Sequence, residues 1–261
     1  MKGQGPVSSP LRSALALVAL IAAWQAAATA AGVAYFPPAL HVLALIPGLF
    51  IEGGALGDLA SSLERLVIGF GLGLAVSLPL GLAMGRVPWV RAAASPLLTA
   101  FYPLPKAALV PILMIWFGAG DFSKILVILM GVSLPLVYHT AEGTRRVDEK
   151  LVWSAAATGM GRARQLFLVV LPSALPDVLI GCRVAIAIGL IVMVSSEMIA
   201  RESGIGNLLF NSLDMALYDQ TYATIVVIGA IGFFLDVLFR HVQRRLTFWT
   251  DAHVEGPEAL A

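Results

Sequence analysis

A chain of 261 residues that is 59% hydrophobic and only 13% charged, with a mean hydropathy of +0.87, is not an ordinary soluble domain, where about a quarter of the residues carry charge. It reads as an all-α polytopic membrane protein. The formal net charge of +1 gives no sign of nucleic-acid or acidic partners, so only the distribution of charge is informative. The single cysteine, Cys182, lies in an apolar run, forms no internal disulfide and reads as a small buried hydrophobe.

About six transmembrane helices are expected in chain order. A segment with Lys2 and Arg12 precedes an apolar run from Ser13 to about Val33. Small residues in AAATAAG suit a signal-peptide cleavage site, but the run exceeds a usual signal core and more membrane sequence follows, so a retained first span is expected. Pro37, Pro38, Pro47, Gly48, Glu52, Gly53, Gly54 and Asp58 mark a loop with one short amphipathic piece. Span two runs from about Leu59 to Met84 and closes on the basic tract Arg86 to Arg91. Span three, about Ala93 to Phe117, contains Pro96, Pro103, Pro105 and Pro111 and cannot be one regular helix. A turn at Gly118 to Asp121 leads into span four, about Phe122 to Thr140. Span five is about Leu175 to Ala200, a loop reading RESGIGNLLFNSLDMALYDQT follows, and span six is about Tyr222 to Phe239.

Charge sets the expected orientation. Lys2, Arg12, Arg86, Arg91, Arg145, Arg146, Lys150, Arg162, Arg164, Arg240, Arg244 and Arg245 fall on one side, while the other side keeps Lys124 and Arg201. By the excess of lysine and arginine on cytoplasmic loops, both termini are cytoplasmic. The resulting organisation is an N-terminal segment 1–12, one transmembrane domain 13–249, and a short polar C-terminal tail 250–261.

Between spans four and five lies the one sizeable polar island, 141–172: AEGTRRVDEKLVWSAAATGMGRARQLFLVVLP. It offers a helical piece around Glu149 to Thr158, a Gly159-Met160-Gly161 break, a second piece from Arg162 to Val170, and a Leu-Pro stop. Helix, glycine turn and helix make a projecting knob. By local chemistry alone, Gly159 is equally a simple helix C-cap.

The island's spacing, Ala155, three residues, Gly159, nine residues, Val169, one residue, then Leu171-Pro172, resembles the Glu-Ala-Ala loop of importer-type ABC permeases. Trp153 and Ser154 stand where that family usually has Glu and the first Ala. SLERLVIGFGLGLAVSLPLGLAMGR, PLPKAALVPILMIWFGAGDFSK, SSEMIARESGIGNLLF and FLDVLFRHVQRRLTFW resemble the permeases that import nitrate, sulfonates and taurine. The resemblance implies a type I importer fold and a cytoplasmic coupling helix carried by Ala155, Ala156, Gly159, Gly161, Arg162, Leu171 and Pro172. It also implies cytoplasmic ATPase subunits that hold ATP and magnesium, a periplasmic solute-binding protein, a second permease copy as homodimer, and a location in the bacterial inner membrane. No cofactor is expected on this chain.

Ionisable groups within spans are costly and call for a partner or a pathway role. Arg183 and Asp236 sit at similar depth, roughly 12–14 Å from the same membrane face at 1.5 Å per residue, and are expected to pair. Arg65, with Glu64, at the start of span two and Glu197 at the end of span five form either a local ion pair or part of a gate. Lys106 either snorkels along the proline break or faces the translocation path, where its charge suits an anionic solute.

Enzyme chemistry finds little support. Gly118-Ala119-Gly120-Asp121 and Tyr218-Asp219 spell the two motifs of intramembrane aspartyl proteases, but in reversed order and at loop positions. His41, His139, His241 and His253 are scattered, and the sequence has no HExxH, GxSxG or P-loop. An ion-gradient-driven secondary transporter or channel is the alternative; it shares the broken helix, but it has no need of a docking knob.

Overall fold

A computed structural model describes residues 9–51 and 54–249, and among these it is helical throughout with no strand. The segment before Ser9, Glu52 and Gly53, and the tail 250–261 lie outside the described residues. The helices are α1 (Ser9–Ala31), α2 (Ala39–Ile51), α3 (Ala55–Arg86), α4 (Pro88–Phe101), α5 (Val110–Phe117), α6 (Asp121–Arg146), α7 (Glu149–Ala157), α8 (Arg162–Gln165), α9 (Leu171–Ala200), α10 (Ile205–Asp214) and α11 (Tyr218–Leu246). Five helical stretches are long and apolar enough to cross a bilayer, and α4 with the 106–117 segment makes a sixth, bent by 85°.

The bundle is organised on α3, α6 and α9. Along α3, Gly69, Gly73, Ser77, Gly81 and Gly85 recur every fourth residue and so form one straight row. Opposite lie Ile128, Val132, Thr140 and Thr144 of α6; a Cβ on Gly81 would stand 2.5 Å from Thr140 Cβ, and one on Gly69 2.6 Å from Ile128 Cγ2. The pairs keep a constant offset in sequence, so α3 and α6 run parallel with their backbones nearly touching. In lipid, where apolar side chains gain nothing by leaving hydrocarbon, such close contact of small residues holds helices together. α9 packs antiparallel on α6 by the same device: Gly181 faces His139 and Gly143 faces Asp177. Leu66, Val110, Val127, Ile128, Val132, Leu136, Cys182, Val192 and Met193 fill the core between them. Many other large apolar side chains point outward, as they do in a protein whose surroundings are lipid.

α1 is tied to the rest through its C-terminal half: Trp24 Nε1 donates to Pro37 O (3.1 Å), and Gln25 Oε1 accepts from the Leu40 amide (3.0 Å). The loop expected after α1 contains α2, an apolar helix rather than an amphipathic one, which buries Ala39, Val42 and Leu49. Span three breaks as its prolines require. α4 ends at Phe101, a tight 3-10 turn covers Lys106–Leu109, and α5 departs with Pro111 in its first turn, where the missing N–H is no loss.

Three expectations from the sequence need correction. The island does not begin as a loop, because α6 continues unbroken through Ala141 to Arg146. Leu171-Pro172 is not a stop. α8 runs through a wide turn at Leu166–Val170 into α9, giving one helical stretch 162–200, and the Leu171 amide reaches back five residues to Leu166 O. A π turn of this kind opens room where Pro172 lacks a donor and would crowd the carbonyl four residues earlier. The stretch after Ala200 is likewise not a loop: it holds α10, whose first turn is buried.

Candidate functional site

The knob projects from one end of the bundle between α6 and α9. The Asp148 carboxylate accepts from the Lys150 amide at 2.9 Å and starts α7. At the other end the Met160 amide donates to Ala155 O (3.1 Å) and the Gly159 amide to Ala156 O (2.9 Å), with Gly159 at φ +82°. This pair of bonds around a left-handed residue is a Schellman cap, and it turns the chain sharply into α8. Gln165 Nε2 ties back to Met160 O at 2.5 Å. Val147, Val170 and Ala174, with Val152 and Leu166, bury the base of the knob against α9. Ala155 is buried, whereas Ala156, Gly159, Gly161 and Arg162 are exposed, together with Leu151 and Trp153 (65% exposed). Leu171 and Pro172 are half-buried where α9 begins. A rigid unit thus offers an apolar and basic outer face and is fused without a break to a membrane-length helix.

At the opposite end lies a buried polar network. Arg65 Nη1 donates to Glu197 Oε1 (2.7 Å) and its Nε to Asp121 Oδ1 (2.6 Å), while its other contacts are Ser203 O and Oγ. Glu197, with no exposed surface, also accepts from Ser62 Oγ (2.8 Å) and from the Gly206 amide (3.0 Å). Asp58 accepts from the Gly204 amide and Ser62 from the Ile205 amide. Three side chains from α3 and α9 therefore satisfy the free amides at the head of α10, where a carboxylate is also favoured by the helix dipole. Buried Lys124 approaches Glu202 at 3.5 Å. Arg65 and Glu197 are thus in contact; Glu64 is exposed and takes no part. Sequence reading missed Asp121, which lies 56 residues from Arg65, and missed Ser62 and the three amides, whose part in the network depends on how α3, α9 and α10 pack.

Arg183 and Asp236 are brought together between α9 and α11, Nε to Oδ1 at 2.6 Å and Nη2 to Oδ2 at 3.2 Å. Arg240, one turn on, adds a contact of 3.1 Å to the same carboxylate. Lys106 Nζ donates to the carbonyls of Phe101 (3.0 Å) and Tyr102 (2.9 Å), which end α4. The two protease-like motifs fall apart structurally: Asp121 begins α6 and is held by Arg65, while Asp219 begins α11 beside His41 (3.4 Å). Among the described residues no cluster of His, Cys, Asp or Glu is fit to hold a metal.

A helical membrane bundle with a broken span, charges matched between helices and a stiff projecting knob defines a transporter-type permease. The profile of the family of binding-protein-dependent transport system inner membrane components matches residues 75–248, and the chain belongs to that family. It is 32% identical to the taurine transport system permease protein TauC of Escherichia coli (strain K12), over 95% of this chain and 94% of that protein. It is 28% identical to the putative aliphatic sulfonates transport permease protein SsuC of Bacillus subtilis (strain 168), over 90% of this chain and 86% of that protein. Among solved structures, the inward facing MetNI methionine ABC transporter shares the fold, with a TM-score of 0.65 at 14% identity over 74% of this chain and 95% of that one.

Proposed function

We propose that this chain is the permease subunit of an ATP-driven importer for a small solute that carries an anionic group, of the sulfonate, taurine or nitrate kind. The observation that carries the reading is the knob: a capped helix and glycine turn continued into the 162–200 stretch, on a chain whose relatives are named as taurine and sulfonate permeases. Residues 13–249 act as one permease domain. The end that bears Arg86, Arg91, Arg145, Arg146, Arg162 and Arg164 faces the cytoplasm, as the positive-inside rule favours, and both termini lie there in a bacterial inner membrane.

In this reading two cytoplasmic ATPase subunits hold ATP and magnesium, and each receives a knob; this chain binds no cofactor itself. When ATP draws the ATPases together, α7 and α8 move with them. A stiff element transmits that displacement to α6 and α9, and two permease copies switch from inward-open to outward-open to take solute from a periplasmic binding protein. Closure of a helix end by its own cap keeps the lever from unwinding under load.

Proteoliposomes that hold this chain with its ATPase, supplied with ATP and the binding protein, test the reading. Accumulation of solute, lost on deletion of 155–165 while membrane insertion persists, is expected. Accumulation undiminished by that deletion contradicts it.

A further inference from the structure

Of the basic side chains that the sequence places within spans, Arg65 is matched by Glu197 and Asp121 and Arg183 by Asp236. Lys106 is the exception, with no carboxylate of the described residues within 4.0 Å. Two of its three ammonium donors go to the Phe101 and Tyr102 carbonyls. Carbonyl dipoles at a helix end ease a positive charge but do not neutralise it. An unmatched charge within a membrane protein is costly unless water or an anion compensates it.

Lys106 stands where its charge is accessible. At the 85° break it lines a cleft of ≈ 530 Å³ together with Tyr102, Tyr138 and His139, over an apolar floor that includes Leu134 and Ile188. Tyr138 and His139 also line a neighbouring cleft of ≈ 550 Å³ that extends toward the knob end. Arg145 and Arg146 there are paired with Glu142, whereas Arg91, like Lys106, is held by carbonyls, those of Met84 and Gly85. Among the described residues the groove therefore carries two cations held by carbonyls rather than carboxylates, Lys106 at the break and Arg91 toward its mouth.

We propose that the cleft at Lys106 is a station for the anionic group of the transported solute, with Lys106 as its counter-charge and Tyr102, Tyr138 and His139 as the polar groups around it. The proposal rests on the anion-importer reading above. The chemistry favours a singly charged oxyanion such as nitrate or a sulfonate, because one unmatched cation would leave a dianion with net charge in a poorly solvated cleft. It also favours transient binding. A single cation whose donors are mostly occupied holds cargo weakly enough to release it, as conduction requires.

Lys106 also caps α4, so the test must separate charge from scaffold. Apparent KM and maximal rate of ATP-driven uptake are measured for nitrate, taurine and ethanesulfonate in the complete reconstituted transporter. K106M is expected to raise KM for the accumulated anion about tenfold, equivalent to about 1.4 kcal/mol, with the ATPase still bound; K106R keeps it near the native value. In a second variant, K106C with Cys182 replaced by serine, a cationic methanethiosulfonate reagent is expected to recover uptake and an anionic one to depress it further. Uptake with native KM in K106M, or a K106C response independent of the sign of the reagent, overturns the station and leaves the importer reading standing. No accumulation of any of the three solutes by the native complex overturns the anion reading and the station with it.

Discussion

The carboxylate of Glu197 occupies the space that a Cβ on Gly204 would need, and it accepts from the Gly206 amide in the first turn of the next helix. Gly204 is moreover at φ +112°, a conformation that side chains rarely adopt. The glycine is there so that the acid can reach the head of α10.

Two substitutions at this contact are expected to fail for the same reason. G204A displaces the Glu197 carboxylate, and E197A leaves Arg65, Ser62 and the Gly206 amide short of a buried acceptor. Loss of one member of a buried ion pair typically costs about 3–5 kcal/mol, reduced here because Asp121 still engages Arg65. Both variants should lower the thermal midpoint in detergent well beyond E64A, which alters an exposed side chain. A midpoint for G204A equal to that of the native chain would show that the contact does not hold α10.

The glycine row of α3 makes a second expectation. G81L must push α3 away from Thr140, and overpacking of this kind costs about 1–3 kcal/mol. The partner offers the opposite change. The buried hydroxyls of Thr140 and Thr144 have no hydrogen-bond partner, and an unsatisfied buried hydroxyl costs about 1–3 kcal/mol. T140V keeps the shape and removes the hydroxyl, so it should leave the thermal midpoint unchanged or raise it while G81L lowers it. A clear fall in T140V would contradict the tight dry contact between these helices.

At the Arg183 and Asp236 pair the expected losses are unequal. R183A leaves Asp236 its contact with Arg240, whereas D236A strands Arg183 in the bundle. An unpaired arginine at mid-depth costs about 2.5–3.5 kcal/mol on insertion scales. D236A should therefore reduce folded yield more than R183A. The charge swap R183D/D236R should recover only part of the loss, since the guanidinium introduced on α11 would then face Arg240 one turn away. Equal yields in the two single variants would argue that the pair is not held within the membrane.

Much of this architecture is legible in the sequence because a bilayer imposes a length and a polarity on each span, and the prolines at 103, 105 and 111 announce the break near Lys106. Gly159 is legible because a left-handed cap favours glycine. The constellation around Glu197 is not, since Ser62, Arg65, Asp121 and Gly206 are joined only by packing. α10 reads as loop because its first turn is secured by other helices' side chains and not by a cap of its own. The continuation through Leu171-Pro172 is hidden because proline usually ends a helix, and only the wider turn at 166–170 accommodates it. The every-fourth-residue glycines of α3 were a readable signal for close helix contact.

Gly159 separates folding from docking. Nothing lies within 4 Å of its would-be Cβ, so the strain of its φ +82° is the sole penalty within this chain. G159A and G159W should therefore cost similar stability, about 1 kcal/mol. Only the bulky residue adds a steric block on the exposed surface of the knob. If the knob docks into a partner, G159W abolishes ATPase association while G159A weakens it, and equal association in both would place the docking surface elsewhere.

The central claim, that the 155–165 segment couples this chain to an ATPase, is tested most directly by purifying the tagged chain in mild detergent from its native host. An ATPase subunit in about a one-to-one ratio and measurable ATP hydrolysis are expected, both lost when 155–165 is deleted although the shortened chain is still inserted. Recovery of the chain alone without hydrolytic activity, or an ATPase still bound after the deletion, would contradict it.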